Sequence, residues 1–162
     1  MNKKTISLIL LAVFILTSML TVANMFLDTN YTNYGNKNGT LNITDSKTNQ
    51  TKTVHYQASG KCINIIDGDT IEVYGVGKVQ LVQIDTPEKS QPGYDESKNF
   101  VSDRCMGKIV YLDIDDKEPK DKYDRTLAIV YTEKEDINKE LLNNNLAKEL
   151  YIPPSEFEKG KI

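Results

Sequence analysis

Lys61-Cys-Ile-Asn-Ile-Ile66, Asp67-Gly-Asp-Thr70 and Ile71-Glu-Val-Tyr74 follow one another without a break, and their reading decides the fold. The first block is β-prone, the second is a strong turn signal, and the third resumes strand alternation with Ile71 and Val73 on one face. Gly75-Val-Gly77 turns the chain again, and Val79 to Ile84 makes a third strand. Three strands joined by tight turns form an antiparallel meander.

Beyond the meander, Pro87 through Pro92-Gly93 predicts a long loop, and residues from about Asp95 to Arg104 predict a helix with Phe100 and Val101 toward the core. Lys108 to Ile114 alternates, which places Val110, Leu112 and Ile114 on one side of a fourth strand. Asp113 to Lys122 is dense in charge and contains Pro119, so it reads as a solvated surface loop; the Asp-x-Asp-x-Asp-Gly spacing of an EF-hand is absent. Thr126 to Tyr131 makes a fifth strand. Asp136 can cap a helix running to about Ala147, with Ile137, Leu141, Leu142 and Leu146 facing the core. Five short strands, with helices after the third and the fifth, suit an α+β protein built on a partly open Greek-key barrel of the OB type.

The chain upstream is of another kind. Lys3 and Lys4 precede an apolar-rich run from Ile6 to about Leu27, which reads as an export signal over residues 1–27. Thr21-Val22-Ala23 offers small residues for cleavage, while the run approaches the ~20 apolar residues that span a bilayer. A cleaved signal peptide and a retained membrane anchor both fit. Residues 28–56 are rich in Asn and Thr and poor in large apolar side chains, which predicts a disordered linker. Sequons at Asn30, Asn38, Asn42 and Asn49 fit an extracellular tether, so the expected location is secreted or tethered to the outer face of the membrane.

Composition excludes several chemistries. His55 is the sole histidine and falls in the expected linker, which removes Ser-His-Asp, Cys-His and histidine–zinc mechanisms. Cys62 and Cys105 are candidates for one disulfide outside the membrane, or for two buried free thiols. Residues 57–162, the expected globular domain, carry 15 Lys and Arg against 21 Asp and Glu, a net charge of −6. That sign opposes passive binding of nucleic acid and suits a site that recruits a divalent cation.

Three segments carry the chemistry: Asp67-Gly-Asp-Thr70, Ile84-Asp-Thr-Pro-Glu88 and Asp121-Lys-Tyr-Asp-Arg-Thr-Leu-Ala128. Singly each has a bland reading as turn, loop or surface. In this order, with Gly107-Lys-Ile-Val-Tyr-Leu and Ile137-Asn-Lys-Glu-Leu-Leu, they closely resemble the staphylococcal nuclease (thermonuclease) family over roughly Gly60 to Tyr151.

The resemblance implies a five-stranded OB-fold barrel and a nuclease acting on DNA and RNA, with single strands preferred, as a monomer. It implies that Asp69 and Asp85 ligate Ca²⁺ together with the backbone carbonyl of Thr86, an all-oxygen set suited to a hard cation. Glu88 matches the general base toward water, and Arg125 the arginine that stabilises charge on the phosphoryl oxygens. Tyr123 and Tyr151 match tyrosines lining the nucleotide site, and the products would carry 3′-phosphates. Three departures stand out. Gln80 occupies the place of a second arginine, with Lys78 on the same strand face as a stand-in. Asp124 replaces a glycine. Pro153 replaces a tyrosine, and the family's final helix has no counterpart. A non-catalytic OB-fold nucleic-acid-binding module and a calcium-stabilised surface domain remain as alternatives.

Overall fold

The computed structural model describes residues 35–45 and 48–160. The expected export signal over 1–27, and the start of the expected linker, lie outside the described residues. No helix among the described residues is long and apolar enough to cross a membrane.

The chain forms β1 (Gly35–Thr44), β2 (Thr51–Ile65), β3 (Thr70–Val73), β4 (Gly77–Leu81), β5 (Ile84–Asp85), α1 (Tyr94–Cys105), β6 (Ile109–Ile114), β7 (Thr126–Tyr131), α2 (Ile137–Asn143) and β8 (Lys148–Glu149). One sheet runs β1-β2-β3-β4-β7-β6, and β2 also pairs with β6. That second pairing closes β2, β3, β4, β7 and β6 into a five-stranded barrel. It exists because β2 is long enough to serve three neighbours. Its start pairs with β1, Ala58 to Lys61 pair with β6, and Cys62 to Ile65 pair with β3. The β4–β7 seam is parallel, with Gln80 opposite Leu127.

The barrel interior holds Ile71, Val73, Val79, Leu81, Val110, Leu112, Ala128 and Val130, closed by Val101 and Cys105 of α1 and by Ile137 and Leu141 of α2. The alternation read in the sequence thus points inward. Asp136 caps α2 as expected, its side chain accepting a hydrogen bond from the Lys139 N–H. Asn138 is fully buried, accepting from the Val130 N–H at 2.9 Å and donating to the Val82 carbonyl at 2.9 Å. It clips α2 to the barrel wall.

Three expectations are corrected, and of the two readings left open for the cysteines the structure has the free thiols. The linker predicted over 28–56 contains β1 and the first residues of β2, an antiparallel hairpin with Leu41 opposite Val54. Ile43 and Val54 are buried in a second apolar cluster with Val82, Ile129 and Tyr131 on the outside of the barrel. Thr53 Oγ1 donates to Asn42 Oδ1 at 2.7 Å, so the Asn/Thr-rich face forms cross-strand pairs. The strand expected from Val79 to Ile84 breaks into β4 and β5, because Gln83 takes φ 61°. The helix expected to reach Ala147 stops at Asn143, and Asn145 at φ 57° turns the chain away. The cysteines are two free buried thiols rather than a disulfide. Burial pushes Cys62 up to about 11 and Cys105 to about 12, which leaves both as inert core side chains.

Candidate active site

The turn between β2 and β3 is built around two carboxylates. Asp67 Oδ1 accepts from the Asp69 N–H at 3.2 Å, and Asp69 Oδ2 accepts from the Thr86 N–H at 3.2 Å. The turn can approach the Thr86 segment only because residue 68 is glycine. A Cβ there would sit 2.6 Å from Ser97 Oγ and 2.8 Å from Thr86 Oγ1. Burial, reinforced by Asp67, pushes Asp69 up to about 6.

Gln80, on β4, faces this turn from across the β3–β4 pair, where its register partner is Thr70. Thr70 Oγ1 lies 3.1 Å from Asp69 Oδ1 and 3.0 Å from Gln80 Oε1, and it accepts from Arg125 Nη1 at 3.3 Å. One hydroxyl therefore links three of the residues singled out from sequence.

Arg125 is held by its own loop. Asp121 Oδ2 takes Nε and Nη2, each at 2.7 Å, while Oδ1 takes the Tyr123 and Arg125 backbone N–H groups at 2.9 and 3.0 Å. Against the upward push of burial, these hydrogen bonds and the guanidinium hold Asp121 below the usual carboxylate range. Asp124 supplies the left-handed turn at φ 63°, the conformation that its replacement of a glycine called for. The exposed Tyr123 ring lies 5.5 Å from the Arg125 guanidinium carbon.

Asp69, Gln80, Asp85, Glu88, Tyr123 and Arg125 all line one cavity of about 510 Å³. They come from the β2–β3 turn, β4, β5, the loop after β5 and the loop entering β7, so the fold gathers what the chain separates. Asp85 is placed by β5–β8 pairing, opposite Lys148. Glu88 is exposed, and its backbone N–H is fixed by Gln91 Oε1 at 2.9 Å. Thr86 is buried and sits behind Asp69. Lys78 and Tyr151 are not among the residues lining this cavity; Lys78 is exposed on β4 opposite Glu72.

Sequence reasoning passed over several lining residues. Asp67 was treated as part of a turn, and Asp121 as part of a motif with no task of its own. Asp115, within the run read as solvated, is only 1 % exposed. Its Oδ1 accepts from the N–H groups of Lys117 at 3.0 Å, Glu118 at 3.3 Å and Glu156 at 3.1 Å, tying the C-terminal segment to the barrel. Gln83 completes that tie: its carbonyl accepts from the Leu150 N–H at 2.9 Å and its Nε2 donates to the Phe157 carbonyl. Leu150 and Ile152, exposed side chains of this segment, form the apolar wall of the cavity.

The donor set facing the β2–β3 turn is all oxygen. No three acidic, histidine or cysteine side chains among the described residues converge to enclose an ion unaided. Two aspartates, a backbone carbonyl and water are donors that a hard, flexibly coordinated cation accepts.

Residues 78–161 match the family model described as staphylococcal nuclease homologue. A protein of Haemophilus influenzae, described as an uncharacterized endonuclease, is 41% identical over 91 residues, covering 54% of this chain and 49% of that one. The thermonuclease of Staphylococcus intermedius is 38% identical over 101 residues, covering 57% of this chain and 60% of its own. Endonuclease YncB of Bacillus subtilis is 33% identical over 143 residues, covering 74% and 67% respectively. The chain therefore spans about half to two thirds of the length of these relatives.

Proposed function

Because this chain belongs to the staphylococcal nuclease homologue family, we propose that its main cavity hydrolyses phosphodiester bonds of DNA and RNA. The observation that carries the reading is the convergence of Asp69, Asp85, Glu88 and Arg125, from four separate segments, on one cavity. Asp69, Asp85 and the Thr86 carbonyl are the residues that would hold Ca²⁺. The bound ion would polarise the phosphodiester and offset the domain's negative charge.

Each remaining role follows from a side chain already placed. Glu88 is exposed at the cavity edge with its main chain fixed, and takes a proton from the attacking water as general base. Arg125 is pre-oriented by Asp121, so its guanidinium meets charge developing on phosphoryl oxygens without reorganising. The Thr70 hydroxyl, hydrogen-bonded to Arg125, keeps the arginine aligned over the acidic turn. By resemblance to the family the leaving group is the 5′-oxygen, giving 3′-phosphate ends. Tyr123 offers an exposed ring for stacking a base of a single strand. The basic n-region and apolar run at the N-terminus support an exported enzyme, secreted or held on the outer face of the membrane.

Gln80 favours a second reading, a barrel that binds nucleic acid without cutting it, since glutamine brings no charge to the phosphate. The test is cleavage of heat-denatured DNA by the full chain with Ca²⁺, with chelator, and with Glu88→Gln. Calcium-dependent cutting that collapses in Glu88→Gln supports the nuclease. Calcium-dependent binding without cutting by the parent would replace it with the binding module.

A further inference from the structure

A second cavity, of about 580 Å³, lies between the loop that follows β5 and the segment from Asn145 to Lys148. Asp85 lines both cavities, so they adjoin at a residue that already belongs to the candidate active site. Their electrostatics differ: the first is strongly acidic and the second is balanced. Seven carboxylates line the first against Lys122 and Arg125, whereas Asp85 is the one acidic residue lining the second and Lys148 the one basic residue. Lys148 is the cross-strand partner of Asp85, and its ammonium enters no ion pair with any described residue.

The remaining walls suit a nucleoside. Pro87, Pro92, Leu146 and Ala147 supply the cavity's apolar lining. Two residues with side-chain amides, Gln91 and Asn145, also line it. Gln91 has its Oε1 committed to the Glu88 N–H, which turns its NH₂ into the free end of the group. Asn145 projects from a left-handed residue at φ 57°, with only its backbone N–H engaged, to the Leu142 carbonyl at 3.0 Å. The volume falls within the roughly 300–1,000 Å³ of pockets that take small ligands.

Resting on the nuclease reading above, we propose that this second cavity binds the nucleotide of a single-stranded substrate next to the scissile phosphate. Lys148 contacts its phosphate, and the prolines and side-chain amides receive its base. A strand held in the first cavity would meet the second beside Asp85, where Lys148 is the one cation lining it. The subsite makes the protein a reader of strand length as well as of the scissile bond. It adds binding where the acidic main cavity offers little to a second phosphate.

The test uses the full chain carrying Glu88→Gln, with Ca²⁺ and single-stranded deoxythymidylate probes of two and five nucleotides, followed by fluorescence polarisation across a salt series. The five-nucleotide probe is expected to bind more tightly than the two-nucleotide probe. Lys148→Ala should remove about fivefold of that gain. It should also lower the slope of log affinity against log salt by about 0.7 for the longer probe alone. Asn145→Gly, which keeps the left-handed turn, should lower affinity for the longer probe while leaving its salt slope intact. Equal affinity for the two probes, or a length gain and salt slope that survive Lys148→Ala, overturns the subsite. Failure of the parent chain to cut denatured DNA, with no binding of either probe, overturns the nuclease reading and the subsite with it.

Discussion

Replacing Gln80 by arginine is the perturbation that reads the site most directly. Gln80 Oε1 lies 3.0 Å from the Thr70 hydroxyl, which in turn accepts from Arg125 at 3.3 Å. Position 80 is thus one hydroxyl away from the guanidinium already assigned to the phosphate. A second positive charge about 4 Å from a phosphoryl oxygen is worth about 4 kcal/mol at an effective dielectric of about 20. Removing one preorganised donor from a transition state commonly costs ~3–4 kcal/mol, so the two routes to the magnitude agree. Asp67 and Asp69 compete for the new guanidinium, since both line the same cavity. The expected gain in kcat is therefore nearer one hundredfold than one thousandfold. The assay is initial rates on heat-denatured DNA at saturating Ca²⁺, with kcat and KM resolved separately. Gln80→Met serves as a control of similar shape without a donor and should change kcat little. A Gln80→Arg protein that unfolds at the parent's temperature, binds calcium as the parent does and cuts within about threefold of its rate would refute the placement of residue 80 at the phosphate.

Three further outcomes test the scaffold. Asp115→Ala strips an acceptor from three backbone N–H groups and should cost about 2–3 kcal/mol in urea unfolding, with Asp115→Asn costing less because one acceptor oxygen remains. Gly68→Ala drives a Cβ to 2.6 Å from Ser97 Oγ; the turn must shift, and about 1–3 kcal/mol of stability should be lost along with calcium affinity. Burial raises Asp136 from 3.8 to about 6. The folded state then holds its proton more tightly than the unfolded chain, so stability falls as pH rises between those values and levels off above. Asp136→Asn keeps a capping oxygen and removes that slope, becoming more stable than the parent above pH ~6 by at most about 3 kcal/mol. Equal slopes for the two proteins between about pH 4 and 6 would sink that assignment.

Local chemistry made much of this fold legible. Thr126 to Tyr131 was readable as a strand because β-branched and apolar residues fill it, and it is a strand with the same bounds. Asp136 was readable as a cap because a carboxylate before an amphipathic run satisfies an orphan N–H, and it does so. The site was legible only through the order of its motifs. No spacing in the chain states that Asp69 and Arg125 meet over one threonine hydroxyl, since that meeting depends on barrel closure.

What escaped the sequence depended on a partner far along the chain. The β1–β2 hairpin was read as linker because average composition measures how much apolar surface a segment owns, not whether a receiving surface exists. Ile43 and Val54 suffice because Val82, Ile129 and Tyr131 present one. Asp115 was read as solvated because it sits in an acidic run, yet the Glu156 N–H arrives from the C-terminal segment to complete its three hydrogen bonds. Gln83 sits at φ 61° inside what looked like a continuous strand, and its carbonyl and side chain hold Leu150 and Phe157. These last two residues act together. The break at Gln83 aims β5, and so Asp85, at the cavity, while Asp115 and Gln83 fix the segment that carries Lys148, Leu150 and Ile152. Two polar residues, one read as surface and one as plain strand, therefore hold in place the segments that line the candidate site.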